Sequence, residues 1–136
     1  MKLNVKPLKN TDYDNILCQW WRDWRWTPPY RDFLPENGTG GYMVYDEDTP
    51  VCAGFMYTTN SKVAWCDWII SNISYKDRTK RKQALELLIK QITEVAKRKG
   101  FKYSYALIKN KPLIDTYKKI GYKEASSYTS EMIKVL

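Results

Sequence analysis

Histidine is absent from this chain of 136 residues, and glycine is scarce, with only six residues. Without an imidazole, neither a Ser-His nor a Cys-His nucleophile pair can form. The cysteines Cys18, Cys52 and Cys66 have neither the spacing of a zinc site nor that of a disulfide framework, so we expect buried, reduced thiols and no metal. Any acid or base must therefore be a carboxylate, a tyrosine, a lysine or a water molecule.

Long apolar runs are missing as well. The run around Trp68-Ile69-Ile70 falls far short of the roughly 20 apolar residues that span a bilayer. The first residues alternate like a strand and lack the apolar block of a signal peptide. Because a chain of this length fits one domain with its own core, we expect a single cytoplasmic domain over residues 1–136 and no membrane partner.

Positive charge is concentrated in the second half of the sequence. Residues 1–68 contain seven Lys and Arg against nine Asp and Glu, a net charge of −2. Residues 69–136 contain sixteen against six, a net charge of +10. A field of this kind favours an anionic partner, which could be a phosphate-bearing cofactor or nucleic acid.

The hydrophobic pattern predicts strands alternating with helices. Strands are expected over residues 3–8, 42–45, 51–57, 63–72 and 103–108, with one or two closing strands over 122–136. A first helix should contain the tryptophan cluster and end at Thr27-Pro28-Pro29, because prolines cannot continue it. A long amphipathic helix over 79–99 should end at Gly100, and a short helix over 111–120 should end at Gly121.

Basic residues crowd the start of the long helix, in Arg78-Thr79-Lys80-Arg81-Lys82-Gln83-Ala84. Cations at this end oppose the helix macrodipole. An anion held by the free backbone N–H groups and enclosed by these side chains would turn that cost into a binding site. A solvated basic turn that serves only solubility is the alternative.

This order of elements resembles the GNAT superfamily of acetyl-CoA-dependent N-acyltransferases. The resemblance implies an α+β fold with a mixed, mostly antiparallel sheet of about six strands flanked by about four helices. It also implies that the turn before the long helix holds the pyrophosphate of acetyl-CoA. The cofactor-binding residues there would be Arg78, Lys80, Arg81, Lys82, Gln83 and Ala84. The glycines of the family pattern are missing from this turn.

The segment from Asn110 to Tyr122 resembles the family pattern of an asparagine, a short helix, a tyrosine and a glycine followed by an aromatic residue. By this resemblance Tyr117 would protonate the departing CoA thiolate, and Asn110 would hold the cofactor or the helix start. A buried aromatic on an amphipathic helix is the alternative for Tyr117. The resemblance further implies a splayed or bulged central strand that binds the thioester and pantetheine, in the region Ile70, Ser71, Asn72 and Ile73.

Asp67 is our candidate for the general base, acting through water. It is a carboxylate between Trp65 and Trp68, where desolvation would raise its pKa. The alternative is a salt-bridged or solvent-facing carboxylate at an edge of the sheet.

Four tryptophans lie within seven residues, at positions 20, 21, 24 and 26, and they cannot all be buried on one helical stripe. In the resembling family the first helix and the following loop form one wall of the acceptor site. By this resemblance Trp24, Trp26 and Tyr30 would line the acceptor pocket. Arg25, which alternates with the rings, suits stacking on a flat ring or binding a phosphate.

Two classes of function remain open from the sequence. The first is transfer of an acetyl or related acyl group from acetyl-CoA to an amine, which could belong to a small molecule, a protein or a nucleobase. Small GNAT-type proteins of bacteriophages are similar in their tryptophan-rich first helix and glycine-poor turn. The second is a catalytically inactive scaffold that binds nucleic acid or a protein. The oligomeric state stays open, a dimer included.

Overall fold

Five strands form one sheet in a computed structural model, which describes residues 2–127 and 130–136. The strands lie in chain order, and only the last pair is parallel. They are β1 (Leu3–Pro7), β2 (Gly41–Asp46), β3 (Thr49–Thr58), β4 (Val63–Ser71) and β5 (Tyr103–Tyr105). The mixed, mostly antiparallel sheet is confirmed, with fewer strands than the six predicted.

Three α-helices cover the two faces of this sheet, where four were predicted. They are α1 (Cys18–Asp23), α2 (Arg78–Arg98) and α3 (Lys111–Ile120). Helix α1 packs on one face, where Leu17, Trp21 and Phe55 share a core. Helices α2 and α3 pack on the opposite face, where the buried stripe of α2 meets Cys52 and Cys66. None of the helices that the structure describes is both long and apolar enough to cross a bilayer.

The two C-terminal helices begin and end at residues that the sequence predicts within one position. The side chain of Asp77 accepts a hydrogen bond from Lys80 N at the start of α2, and Asn110 does the same for Leu113 N at the start of α3. Gly100 and Gly121 follow the two helices with φ angles of 95° and 117°. Left-handed glycines at these positions satisfy the last carbonyls, as expected.

The first helix ends earlier than predicted, before the prolines. Its first turn is a π-helix, Tyr13–Leu17, and α1 stops at Asp23. Arg25 takes a left-handed conformation with φ 63°, and Trp26 N donates back to Trp21 O. This is the geometry of a Schellman cap with arginine in the place that glycine usually takes. The cap turns the chain, and residues 24–30 leave the helix as a loop.

The predicted closing strands are absent from the described part of residues 122–136. The chain after Gly121 has no regular structure over residues 122–127 and 130–136, and positions 128 and 129 lie outside the described residues. Met132, Val135 and Leu136 are almost fully exposed. Strand β5 is therefore the edge of the sheet, and it is shorter than the segment 103–108 predicted for it.

Candidate functional site where β4 and β5 diverge

The parallel strands β4 and β5 stay together over only three residue pairs, from Val63–Tyr103 to Trp65–Tyr105. Beyond Trp65, β4 continues to Ser71, whereas β5 ends at Tyr105. The carboxylate of Asp67 connects β4 to the segment that follows β5, because its Oδ2 accepts a hydrogen bond of 3.0 Å from Leu107 N. Among the described residues no hydrogen bond joins the two segments beyond Leu107, and we call the region where β4 diverges from the chain after β5 the gap.

A bulge in β4 lies beside the same gap. Phe55 pairs with Asp67 and Ala53 pairs with Ile70, so the two residues Trp68 and Ile69 oppose a single residue of β3. Trp68 has a positive φ of 56°. A bulge interrupts the hydrogen-bond ladder and leaves backbone groups of the bulged strand unpaired. The amide of Trp68 is already used, because it donates to Asp67 Oδ1 at 2.9 Å.

The bulge precedes the region where the resemblance placed it, from Ile70 to Ile73. Ile70 is buried in the core, and Ile73 is half-buried. Ser71 O accepts from the indole of Trp24 at 2.9 Å. Asn72 donates from its backbone to Val51 O and from its side chain to Pro50 O. The hydrogen bonds of Ser71 and Asn72 hold the end of β4 against the first helix and against β3.

Asp67 is neither salt-bridged nor solvent-facing, since it is half-buried and forms no ion pair among the described residues. Its two oxygens accept backbone hydrogen bonds from Trp68 N and Leu107 N, at 2.9 and 3.0 Å. Burial raises the pKa of this carboxyl above its usual value, and the two amides oppose that shift. A carboxylate with a raised pKa at the apex of a gap is suited to accept a proton.

Tyr117 lies on α3 beneath the same part of β4. Its ring is buried, and its hydroxyl donates a 2.8 Å hydrogen bond to Cys66 O, one residue before Asp67. Burial, together with the neighbouring Cys66 and Asp67, raises the pKa of this phenol well above its usual value. Tyr117 therefore stays protonated and can act as a proton donor. A cavity of about 180 Å³ opens beside it, between α3 and the chain that continues from β5.

The basic start of α2 follows the end of β4 along the chain. Two of its cations are occupied within the fold, because Lys80 lies 3.6 Å from Asp46 and Arg81 donates to Tyr75 O. Arg78 and Lys82 are exposed and form no ion pair in the part of the chain that the structure describes. These two side chains remain available to an anion.

Fewer backbone donors are available at this helix start than the sequence suggested. The predicted turn lies wholly inside α2, so the amides of Lys82, Gln83 and Ala84 are used within the helix. Gln83 is exposed, whereas Ala84 is buried against the sheet. The first N–H groups of a helix have no acceptor within it. The amide of Lys80 is capped by the side chain of Asp77. The amides of Arg78 and Thr79 therefore remain for a ligand.

The tryptophan cluster divides between the core and the surface. Trp20 and Trp21 are buried, whereas Trp24 and Trp26 are 37% and 54% exposed. The two exposed rings stack on each other with centroids 6.2 Å apart, and the indole of Trp24 is bonded to the end of β4. Arg25, between them, is exposed. The pair therefore presents a flat aromatic surface beside the end of β4.

The loop that carries this aromatic surface is fixed by side-chain hydrogen bonds. The hydroxyl of Tyr13 donates to Pro29 O, and that of Tyr57 donates to Phe33 O at 3.2 Å. Arg31 donates to Asn37 O and to a carbonyl of the chain before α1. Tyr30, next to this anchor, is 82% exposed. We call Trp24, Trp26 and Tyr30 the aromatic wall. These hydrogen bonds fix the position of the loop that carries it, and its exposed ring faces are open to solvent.

Sequence reasoning missed further aromatic residues that lie on the α1 side of β4 and β5. Trp65 and Tyr105 face each other across these strands with ring centroids 4.5 Å apart, and Phe33 meets Trp68 edge-on at 5.3 Å. Tyr105 remains 45% exposed. The alternation of aromatic residues at positions 103 and 105 was the available signal, since side chains two apart on a strand share a face.

Comparisons with known proteins bear on the fold. No family model and no curated protein matches the sequence. The chain is similar to the structure of a GNAT family acetyltransferase from Staphylococcus aureus, with 14% identity, a TM-score of 0.61 and 98% and 100% of the two chains covered. It is also similar to AAC(6')-Iy in complex with the bisubstrate analogue CoA-S-monomethyl-acetylneamine, with 12% identity, a TM-score of 0.65 and 99% and 100% covered.

A third similar structure is the ribosomal-protein-S18-alanine N-acetyltransferase of Escherichia coli. The identity is 13% and the TM-score 0.66, over 92% of this chain and 80% of the other. At identities this low, the TM-scores and the near-complete coverage show a shared fold only. The chain has the fold of the GNAT acetyltransferases.

Proposed function

We propose that this protein is an N-acyltransferase that moves an acetyl or related acyl group from acetyl-CoA directly to an amine. One observation carries the proposal: the protonated phenol of Tyr117 bonds to Cys66 O, and the next residue of β4 is Asp67, a carboxyl of raised pKa. Acyl transfer from a thioester to an amine needs a proton acceptor for the amine and a proton donor for the leaving thiol. Asp67 and Tyr117 supply these two groups.

The residues around the gap fit acetyl-CoA. When bound, it supplies an acyl group activated as a thioester. Arg78 and Lys82, with the first amides of α2, match the charge of its diphosphate. The bulge at Trp68 interrupts the hydrogen-bond ladder of β4, and the extended arm would pair with backbone carbonyls there. Binding by long side chains replaces the close backbone approach that glycines normally permit.

The chain's own residues then have separate tasks. Asp67 accepts a proton from the acceptor amine, directly or through a water molecule. Tyr117 keeps its proton until the thiol leaves, because burial disfavours the phenolate. Trp24, Trp26 and Tyr30 form the wall against which the acceptor is positioned. AAC(6')-Iy is bound to an analogue that contains acetylneamine, a small molecule, and the Escherichia coli neighbour is named for a protein acceptor, so either class of amine is a candidate here, as is a nucleobase.

A thiol-release assay tests the activity. The protein is incubated with acetyl-CoA and, in turn, a polyamine, an aminoglycoside, a peptide with a free N-terminus and a nucleoside with an exocyclic amine. We expect one class to accelerate thiol release over the rate without acceptor, with a mass increase of one acetyl group on the acceptor. Binding of acetyl-CoA without transfer to any of these amines would contradict the proposal.

The charge at the start of α2 gives a second expected result. Replacing both Arg78 and Lys82 by alanine removes the two available cations, and we expect acetyl-CoA to bind at least tenfold more weakly. Each charge-assisted hydrogen bond contributes about 1.5–3 kcal/mol. Isothermal titration measures the change. The matched control, Lys9→Ala with Lys90→Ala, removes the same charge from exposed positions elsewhere. Equal weakening in both variants would mean that net charge alone is responsible.

The aromatic wall gives a third expected result, for binding of the acceptor. Trp26 is largely exposed, so Trp26→Ala should not disturb the core. We expect the KM for the acceptor to rise about tenfold, because a stacking surface is lost, while the affinity for acetyl-CoA stays the same. Trp26→Phe keeps a ring and should retain most of the acceptor binding. A change in acetyl-CoA affinity instead would place Trp26 beside the cofactor.

One observation favours the alternative of a binding module without catalysis. Asp77 places a carboxylate at the start of α2 and occupies the amide of Lys80, where an anion would otherwise bind. A negative charge there opposes a diphosphate. If acetyl-CoA does not bind, this carboxylate and the missing glycines are the physical reasons.

A further inference from the structure

Five exposed cations gather at the end of the molecule that lies opposite the basic start of α2. Two of them end α2, and the others follow it or lie in the turn between β3 and β4. We call this group the basic end: Lys62, Lys97, Arg98, Lys99 and Lys102. Helix α2 has 21 residues, which separates the basic end from Arg78 by about 30 Å at a rise of 1.5 Å per residue.

The fold brings these cations together at an electrostatic cost. Lys62 O accepts hydrogen bonds from Lys102 N and Tyr103 N, at 2.9 and 3.0 Å, so the turn before β4 lies against the start of β5. None of the five forms an ion pair within residues 2–127 and 130–136, and Glu94, the nearest carboxylate along α2, is not paired with them. Like charges held close together repel one another.

Helix capping accounts for only part of the basic end. Lys97 and Arg98 lie in the last turn of α2, where cations interact favourably with the macrodipole. Lys62 and Lys102 lie outside the helix and gain nothing from it. An external anion that interacts with all five side chains would account for the whole group.

Exposed aromatic rings continue from the basic end along β5. Tyr103 is 57% exposed and Tyr105 is 45% exposed. They are two residues apart on one strand and therefore share a face, which is also the face of Trp65, the ring that Tyr105 contacts. The ammonium of Lys102 lies 5.6 Å from the centroid of the Tyr103 ring, so charge and ring surface are contiguous.

We infer that the basic end and the tyrosines of β5 form a binding surface for single-stranded nucleic acid. The cations match a phosphodiester backbone, and exposed tyrosine rings are platforms on which unpaired bases stack. An acidic peptide would use the cations but not the rings. A duplex keeps its bases stacked inside, where the tyrosines cannot reach them. The cations of this surface lie away from the start of α2, and its second tyrosine, Tyr105, also lines the cavity beside Tyr117.

The test measures fluorescence anisotropy of a labelled single-stranded oligonucleotide of about 20 nucleotides and mixed sequence, between 50 and 200 mM salt. With five cations involved, log K should fall against log salt concentration with a slope of about −3.5, since each phosphate contact contributes about −0.7 for single strands. The matching duplex should bind more weakly. Saturating acetyl-CoA should leave the affinity for the oligonucleotide unchanged.

Two sets of variants separate charge from stacking. Lys97→Ala, Lys99→Ala and Lys102→Ala together should reduce the magnitude of the salt slope by about 2, whereas Lys2→Ala, Lys9→Ala and Lys90→Ala together should leave it nearly unchanged. Tyr103→Ala with Tyr105→Ala should weaken binding at least tenfold and leave the slope unchanged. Tyr103→Phe with Tyr105→Phe keeps both rings and should restore the affinity. Circular dichroism establishes that each variant is folded.

Several results would overturn the inference. Equal affinity for single strand and duplex, with no effect of the tyrosine variants, would reduce the surface to a nonspecific basic patch. Equal loss in both lysine sets would move the phosphate contacts away from the basic end. Competition by acetyl-CoA would place the oligonucleotide at the start of α2, and displacement by polyglutamate at equal charge concentration would indicate an acidic partner.

Discussion

Tyr117→Phe is expected to lower turnover at least a hundredfold while leaving the affinity for acetyl-CoA within twofold of that of the unaltered protein. The substitution removes the proton that the leaving thiol needs, and general acid catalysis of this kind contributes about 10²–10⁴ in rate. Steady-state kinetics with a saturating acceptor measure turnover, and isothermal titration measures binding. An unchanged rate would remove Tyr117 from the mechanism and leave it as a core aromatic.

Tyr122→Phe is the matched control for this result. Tyr122 packs edge-on against Tyr117 with ring centroids 4.9 Å apart, and its hydroxyl bonds with Thr93 and Ser104. Each variant loses a hydroxyl with hydrogen-bond partners in the fold, so each should lose about 1–2 kcal/mol of unfolding free energy. Turnover should fall only in Tyr117→Phe. A comparable fall in both variants would point to damage of the fold rather than to lost chemistry.

Asp67→Asn should produce the second large effect, a loss of turnover of at least a hundredfold at neutral pH. An amide cannot accept the proton of the acceptor amine, whereas a carboxylate can. The rate of the unaltered protein should fall as the pH is lowered through the raised pKa of Asp67, because protonation removes the base. The acidic limb of kcat/KM against pH should therefore lie above the usual range of an aspartate, and Asp67→Asn should lack this limb.

Asp12→Asn separates the chemistry of Asp67 from its structural hydrogen bonds. Asp12 is also a buried aspartate whose carboxylate accepts from a backbone amide, that of Lys9, at 2.7 Å. It lies before α1 and outside the gap. Both variants should unfold at lower temperature, and only Asp67→Asn should lose activity and the acidic limb. An acidic limb that persists in Asp67→Asn would assign the base to another group.

The sequence predicts the C-terminal half well because its signals are local. The apolar stripe of α2, with Ala84 and Leu88 on the buried face, follows from helical periodicity, and Gly100 and Gly121 mark the two helix ends. The pattern from Asn110 to Tyr122 put Tyr117 on a short helix beneath the sheet. The buried position of that ring agrees with both interpretations of Tyr117, so only kinetics can choose between them.

The position of the bulge at Trp68 is harder to predict from the sequence, because it depends on pairing with another strand. Trp65 and Asp67 lie on one face of β4, two residues apart. Trp68 and Ile70 lie on that same face, so the alternation of side chains shifts by one residue between Asp67 and Trp68. Such a shift is the signature of an extra residue in a strand, and the apolar run from Trp68 to Ile70 conceals it. Its placement depends on pairing with Gly54 of β3, which is a contact between distant parts of the chain.

The end of α1 was misplaced for a related reason. Pro28 and Pro29 are strong local signals that a helix cannot continue, but the helix had already ended at Asp23. Arg25 takes the left-handed conformation without being glycine, and the bond from the Trp24 indole to Ser71 O helps hold the turn. A tertiary contact outweighs the ordinary preference of arginine here, and it sets the direction of the aromatic wall.

We assign the chemistry to the gap, acceptor binding to the aromatic wall beside it, and nucleic-acid binding to the basic end, which lies at the opposite end of α2 from Arg78. The gap depends on the divergence of β4 from β5, which Asp67 bridges through the amide of Leu107. The wall depends on the early end of α1 and on the hydrogen bonds that hold residues 29–37. Because these parts use different residues, the variants described above can distinguish a failure of one from a failure of the others.

Isothermal titration of the folded protein with acetyl-CoA, beside desulfo-CoA, measures whether the gap is a cofactor site. We expect saturable binding with one site per chain, similar affinity for the two ligands, and a loss of at least tenfold when Arg78 and Lys82 are both alanine. Absence of heat from either ligand, with oligonucleotide binding retained, would contradict the assignment of the gap as a cofactor site and would make the fold a scaffold for nucleic-acid binding.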